Sequence, residues 1–296
     1  MLEGLIVKNI TNKYFVKVND NIYECLARGK FKQDSISPVV GDLVKFEILD
    51  EQKNTGIIND IVERKNYIRR PKMANISEII FVVSTKFPKA DLLMLDKQLA
   101  FAEFMNIKSK IIVNKIDLGE EIARQIEKTY TEIGYDVVLT NAISKEGIEK
   151  IIDDVNEKKK IIVLAGNSGV GKSSLINSLF NREITIAGEV SQKSKRGKNT
   201  TTITSLYEVK KNVYIADTPG FSTFDIEEIE SSELGKFFIE FNQYIHKCEY
   251  QGCAHIKEKK CGIKQAVEEN KISNNRYQNY IKIYEDLKYK EEHKKW

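Results

Sequence analysis

Glycine, lysine and serine recur at a telling spacing in Gly166-Asn167-Ser168-Gly169-Val170-Gly171-Lys172-Ser173-Ser174. An apolar, β-branched run at 161–165 precedes this stretch, and residues of helical period follow it. A strand, a glycine-rich loop and a helix in that order make the G-x-x-x-x-G-K-[ST] spelling a phosphate site. The glycines let successive backbone N–H groups turn inward toward phosphate oxygens, and the helix N-terminus adds its dipole. Lys172 is placed to reach the outer phosphates, and the Ser173 hydroxyl to ligate Mg²⁺. The stretch predicts a nucleoside triphosphate.

Which triphosphate follows from Asn114-Lys115-Ile116-Asp117, directly after the apolar run 111–113. The end of a strand in an α/β sheet is where ligands bind. There a carboxylate can accept two hydrogen bonds from N1–H and the 2-amino group of guanine. Adenine lacks both donors and would leave the carboxylate unpaired. Thr140-Asn141-Ala142 follows the next strand, where GTPases usually carry Ser-Ala and close over the base; Asn141 is a departure. Asp217-Thr-Pro-Gly220 follows the apolar run 213–216. Asp217 can hold Mg²⁺ through a water, and the Gly220 N–H can meet the γ-phosphate. Between loop and Asp217 lies the basic run 191–202, which ends in three threonines. One of them should complete the Mg²⁺ shell, with Thr201 the choice; its lysines and Arg196 are either solvated or contact RNA.

The order of these motifs is unusual. The guanine-reading segment ordinarily comes after the phosphate loop, and here it precedes it. A sheet tolerates such a circular permutation where the old termini were adjacent. Asp217 and its loop then lead straight into the C-terminal segment, so a nucleotide-driven shift there can move that segment.

Cys248, Cys253, His255 and Cys261 form a further cluster. Three thiolates and an imidazole make a closed tetrahedral set for one structural Zn²⁺, with no position left open for catalysis. His246 falls outside a set already complete, as a surface histidine. Cys25 stands alone among apolar and polar residues and reads as a small buried core residue.

The elements that position these groups are legible from periodicity. Residues 1–66 alternate apolar and polar in about five short runs separated by Asn, Asp and Gly, which suits a small OB-fold-like β-barrel. Such a barrel is a platform for single-stranded nucleic acid or, equally simply, a β adaptor. The basic segment 64–72 reads as a linker, solvated or touching a phosphate backbone. Apolar runs at 79–84, 111–113, 137–139, 161–165 and 213–216 are strands. Leu92, Leu95, Leu99 and Ala102 share one face of a helix over 91–106. Residues 203–209 pair with the last strand through the turn at 210–212, giving a mostly parallel sheet with one antiparallel strand. Beyond Phe224 the chain turns helical and charged. Tyr277, Tyr280, Ile281, Tyr284 and Leu287 form a stripe that packs on a neighbour or stacks on bases.

Length and composition set bounds on this reading. At 296 residues the chain holds two or three domains, and a hydrophobic share of 41% is enough for their cores. The net charge of +4 permits an RNA partner without demanding one. No apolar run approaches the ~20 residues of a membrane helix, and the N-terminus lacks a signal peptide. A cytoplasmic protein with no membrane partner is expected.

With these residues assembled, the chain resembles the ribosome small subunit-dependent GTPases, which are circularly permuted. The likeness runs through Arg70-Pro71, Ala74-Asn75, Leu95-Asp96, the guanine and phosphate motifs, Asp-Thr-Pro-Gly-Phe and the Cys-Cys-His-Cys set. That family's switch segment reads Gly-Arg-His-Thr-Thr-Thr, whereas this chain has Gly197-Lys198-Asn199 before the threonines. The resemblance implies a multidomain protein: a β-barrel over 1–66, a circularly permuted α/β GTPase domain over 67–228 and a helical zinc-binding module over 229–296. It further implies GTP hydrolysis coupled to late maturation of the small ribosomal subunit and its rRNA, by a monomer that uses Mg²⁺ with GTP. An alternative is a nucleotide-gated rRNA-binding module whose own hydrolysis is incidental; a large-subunit GTPase is a third. Phe221 occupies the position where many GTPases place a water-orienting glutamine, which predicts slow turnover by the isolated protein and stimulation by the small subunit.

Overall fold

The structure is a computed structural model that describes residues 1–29, 31, 36–151, 160–180, 204–217 and 226–293, with the backbone alone at Phe180 and Asp217. Thr201, Gly220, Phe221 and the run 191–202 lie outside the described residues. The chain divides into two compact units: 1–80, 149–165 and 172–222 form the first, and 81–148, 166–171 and 223–296 the second.

In the first unit the alternating N-terminal runs become β1 (Leu2–Ile10), β2 (Lys13–Val18), β3 (Asn21–Ala27), β4 (Leu43–Asp50) and β5 (Thr55–Ile61). They follow the order β1-β2-β3-β5-β4, and β4 pairs back onto β1 to close a barrel. Closure leaves no free edge. The inward positions carry Val16, Cys25, Val44, Phe46 and Ile58, all fully buried. Burial pushes the Cys25 thiol up to about 12, so it stays protonated and serves as core filling, as its setting predicted.

The segment read as a linker is instead a small hairpin, β6 (Tyr67–Arg69) and β7 (Lys72–Ala74). Arg64 is not available to a phosphate. Its Nε donates to Asp42 Oδ1 at 2.7 Å and its Nη2 to Asp42 Oδ2 at 2.8 Å, and its guanidinium stacks on Tyr67.

The same unit holds β11 (Lys160–Ala165), α3 (Lys172–Phe180), β12 (Ser205–Lys210), β13 (Val213–Asp217) and the start of β8 (Glu78–Ser84). Numbering here runs in chain order, with α1 (Leu92–Phe104), α2 (Glu120–Ile133), α4 (Gly262–Glu268) and α5 (Asn274–His293) belonging to the second unit. β11 runs parallel to β13, while β12 returns antiparallel to β13 through the turn at 211–212, as the sequence predicts.

The second unit contains the rest of β8, then β9 (Lys108–Asn114) and β10 (Asp136–Leu139), in the order β10-β9-β8. β8 is buried along its whole length, which explains its unbroken apolar spelling. Asp91 caps α1 by accepting the Met94 N–H at 3.0 Å, so the helix begins where the sequence places it. Short 3₁₀ turns fill 231–247, a stretch with no clear helical period. The tyrosine stripe of α5 packs inward: Tyr277 and Tyr280 are buried, and Tyr280 meets Phe238 and Phe241 edge to face.

Among the described residues, no helix is long and apolar enough to cross a membrane.

Candidate functional site: a phosphate loop clamped to the turn after β9

β9 ends at Asn114, and the chain then turns sharply through Lys115, whose φ of 60° is left-handed, into a 3₁₀ turn over Ile116–Leu118. This turn exposes Asp117, whose carboxylate makes no hydrogen bond or ion pair among the described residues. It is free to accept from a ligand.

Asn114 does the opposite. Its side chain is buried and spends both ends on other loops. Nδ2 donates to the Val170 carbonyl of the phosphate loop at 2.9 Å. Oδ1 accepts from Thr140 Oγ1 and from the Ala142 N–H, each at 3.2 Å. One amide therefore fixes the phosphate loop, the turn after β9 and the loop after β10 together. Lys115 adds a second clasp: its ammonium donates to Gly169 O at 2.8 Å and to Phe87 O, while Thr85 Oγ1 donates to Lys115 O at 2.6 Å.

Gly171 shows how tight this clamp is. Its φ is +103°, and a Cβ there would lie 2.2 Å from Asn114 Nδ2. Gly166, at φ +143°, would press a Cβ to within 2.2 Å of Val82 O. A side chain at either position is refused by both strain and space. Gly171→Ala is expected to weaken GDP binding at least tenfold while leaving zinc content unchanged, as titration with a fluorescent GDP analogue would read. Unaltered affinity would mean that the Asn114 clamp does not shape the loop.

The departure at Asn141 has a structural reason. Its Oδ1 accepts the N–H groups of Ile143 at 2.9 Å and Ser144 at 3.3 Å, an Asx-type turn that shapes the loop after β10. Sequence alone could have found this, because Asn is a stronger local acceptor than Ser in such turns.

Lys172, Ser173 and Ser174 open α3, in the first unit. Ser173 and Ser174 are exposed, so the Ser173 hydroxyl is accessible to an ion. Burial holds the Lys172 ammonium below its ordinary value, a cost that a bound phosphate would reverse. Asp217 closes β13, paired in register with Ser205; its side chain is not described.

The second cluster lies wholly in the second unit. The four donor atoms of Cys248, Cys253, His255 and Cys261 lie within 4.8 Å of one another. Cys248 Sγ is 3.9 Å from Cys261 Sγ, and His255 Nδ1 is 3.5 Å and 3.4 Å from these sulfurs. A tetrahedral Zn²⁺ with ~2.3 Å bonds to sulfur and ~2.0 Å to nitrogen implies edges of about 3.8 and 3.5 Å. The set could hold zinc with little rearrangement. Burial depresses the His255 pKa, which favours the neutral imidazole that a metal needs.

The surroundings brace the cluster. Glu258 accepts the N–H groups of Ala254 at 2.8 Å and Ile256 at 2.9 Å. Tyr277 and Tyr280 donate from α5 to the carbonyls of His255 at 2.6 Å and Ala254 at 2.9 Å. His246 is exposed and apart from the set.

Sequence reasoning missed the buried ion cluster that anchors α5. Arg276 donates to both oxygens of Glu240, at 2.6 and 3.1 Å, and to Asp96 Oδ1 of α1 at 2.5 Å. The partners are too distant in sequence for any local pattern to reveal.

Known proteins resemble this chain over nearly its whole length. Residues 61–227 match the RsgA GTPase family and residues 3–58 the RsgA N-terminal domain. Proteins called small ribosomal subunit biogenesis GTPase RsgA are similar throughout. That of Ruminiclostridium cellulolyticum is 40% identical over 287 residues, covering 96% of this chain and 93% of the relative. That of Clostridium botulinum is 43% identical, with 97% of each chain covered. Among solved structures, YjeQ from Thermotoga maritima superposes with a TM-score of 0.82 at 33% identity, covering 96% of this chain and 98% of that one. YloQ, described as a circularly permuted GTPase, gives a TM-score of 0.76 at 29% identity over 100% of this chain and 97% of its own. The permuted motif order thus has solved counterparts, and the chain belongs to the RsgA GTPase family.

Proposed function

We propose that this chain is a GTP-hydrolysing assembly factor of the small ribosomal subunit, and that docking on that subunit stimulates its turnover. The observation that carries the GTPase reading is the clamp in which Asn114 and Lys115 tie the guanine-reading turn to the phosphate loop. The ribosomal reading rests on full-length relatives that bear the small-subunit name.

In this proposal Asp117 reads guanine, Lys115 covers it, and Ala142 lies at its edge. The backbone from Gly166 to Gly171 wraps the phosphates. Lys172 neutralises the outer phosphates, and Ser173, Thr201 and Asp217 would hold Mg²⁺. Gly220 meets the γ-phosphate. Bound there, Mg²⁺ would supply neutralisation of phosphate charge. Phe221 has no atom to orient the attacking water, so another group must do so, and the bound subunit arranges it. Cys248, Cys253, His255 and Cys261 hold one structural zinc, and the barrel and zinc module serve as docking surfaces.

Co-sedimentation tests the partner. The protein with a non-hydrolysable GTP analogue should pellet with small subunits, and with GDP it should be largely released. Equal binding in both states, or preference for large subunits, would contradict the proposal.

A further inference from the structure

A cavity of about 250 Å³ opens between α1, α2 and the first turns of α5, and none of the guanine-site or zinc residues lines it. We infer that it is a binding site for a single nucleobase, separate from the guanine site. The inference does not rest on the ribosomal reading.

The floor of the cavity is rigid and already charged. Asp96 is fully buried there and accepts three hydrogen bonds: from Tyr130 Oη and Arg276 Nη1 at Oδ1, and from Asn279 Nδ2 at Oδ2. Burial raises the Asp96 pKa, and the Arg276 guanidinium with the Tyr130 and Asn279 donors pulls it back toward the ionised form. A carboxylate offers about four acceptor directions, so Oδ2 keeps one to spare. A water or a donor on a bound ligand can take it.

The walls offer mixed chemistry. The side-chain amides of Gln125 and Asn275 have no hydrogen bond among the described residues. Thr129 gives its proton to Gln125 O at 2.9 Å and keeps its lone pairs, and Ser273 lines the same edge. Leu92, Ile122 and Ile126 supply the apolar side. A lone cation would use the acceptors and leave the amides of the exposed Gln125 and Asn275 to solvent. An aliphatic group would use neither.

A flat heterocycle whose edge alternates donors and acceptors, and whose faces are apolar, uses all of them. That is how asparagine and glutamine read bases, and how unstacked bases are held. The carboxylate selects a base with an exocyclic amine. The volume falls below the ~300–1,000 Å³ of drug-sized pockets, so the site admits a ring system and leaves sugar and phosphate outside.

The test uses the full chain with its guanine site saturated by GDP. Adenosine, cytidine and uridine are titrated by ligand-observed NMR, and a labelled hexaadenylate RNA by fluorescence anisotropy. Adenosine or cytidine should bind more tightly than uridine, which lacks the amine. Thr129→Phe, which fills the cavity from α2, and Asn275→Ala, on the exposed first turn of α5, should each weaken that binding at least tenfold and leave GDP affinity unchanged. If Thr129→Phe disturbs GDP binding, Asn275→Ala decides alone. Variant-sensitive binding of nucleosides without hexaadenylate assigns the site to a free nucleoside. Variant-sensitive binding of hexaadenylate as well assigns it to an unstacked base of RNA. Binding of neither probe, or binding indifferent to Asn275→Ala, overturns the inference.

Discussion

Asp117→Asn should exchange the nucleotide this protein prefers. In the proposed site the wild-type carboxylate accepts two hydrogen bonds from guanine, and charge-assisted bonds contribute roughly 1.5–3 kcal/mol each. An amide in its place turns one acceptor into a donor facing the guanine amino group. GTP affinity should therefore fall by roughly a hundred- to a thousandfold, since ~1.4 kcal/mol is a factor of ten. Xanthine carries a carbonyl where guanine has that amine, so xanthosine triphosphate should gain by a similar factor. Because Asp117 is exposed and bonds to nothing among the described residues, the substitution should leave the melting temperature nearly unchanged. Competition between GTP and xanthosine triphosphate measures the exchange. A variant that keeps wild-type GTP preference would show that another residue reads the base.

That Asp117 stands out in the sequence as a candidate base reader reflects the kind of information a local motif holds. Asn114, Lys115 and Asp117 are close in the chain, and their work is set by the strand end that presents them. The phosphate loop is legible for the same reason, because its glycines mark backbone angles that other residues refuse, as Gly171 at φ +103° illustrates. The Cys-Cys-His-Cys set is local too. What sequence hides is pairing across distance. Arg276 meets Asp96 180 residues away, and Arg64 meets Asp42 22 residues earlier. No periodicity encodes either contact. The hairpin of β6 and β7 escaped because strands of three residues carry too little alternation to be told from a linker. The barrel was readable because its turns recur between alternating runs.

Zinc removal should have the second large effect. The knuckle from Cys248 to Cys261 is built largely from turns, with Phe241 packed edge-on against His255 and the Tyr277 and Tyr280 hydroxyls bonded to its backbone. Apparent zinc-binding free energies in small zinc modules run to roughly 10–16 kcal/mol, which becomes folding free energy when the ligands are otherwise loose. Metal analysis should find about one zinc per chain. Cys253→Ser should reduce that content and expose the knuckle to proteolysis. Chelation of the wild type should do the same. GDP affinity should change by less than about threefold, because none of the guanine-site residues lies in the knuckle. Protein purified without chelator and found free of zinc would remove this part of the account.

The central claim is that a small ribosomal subunit triggers hydrolysis in this permuted GTPase. The most direct measurement is the steady-state rate of phosphate release from GTP by the protein alone, with small subunits and with large subunits. The account predicts very slow release alone, a rise of at least tenfold with small subunits, and none with large ones. It also predicts that Lys172→Ala abolishes the stimulated rate. Rapid turnover without ribosomes, or no gain when small subunits are added, would contradict it.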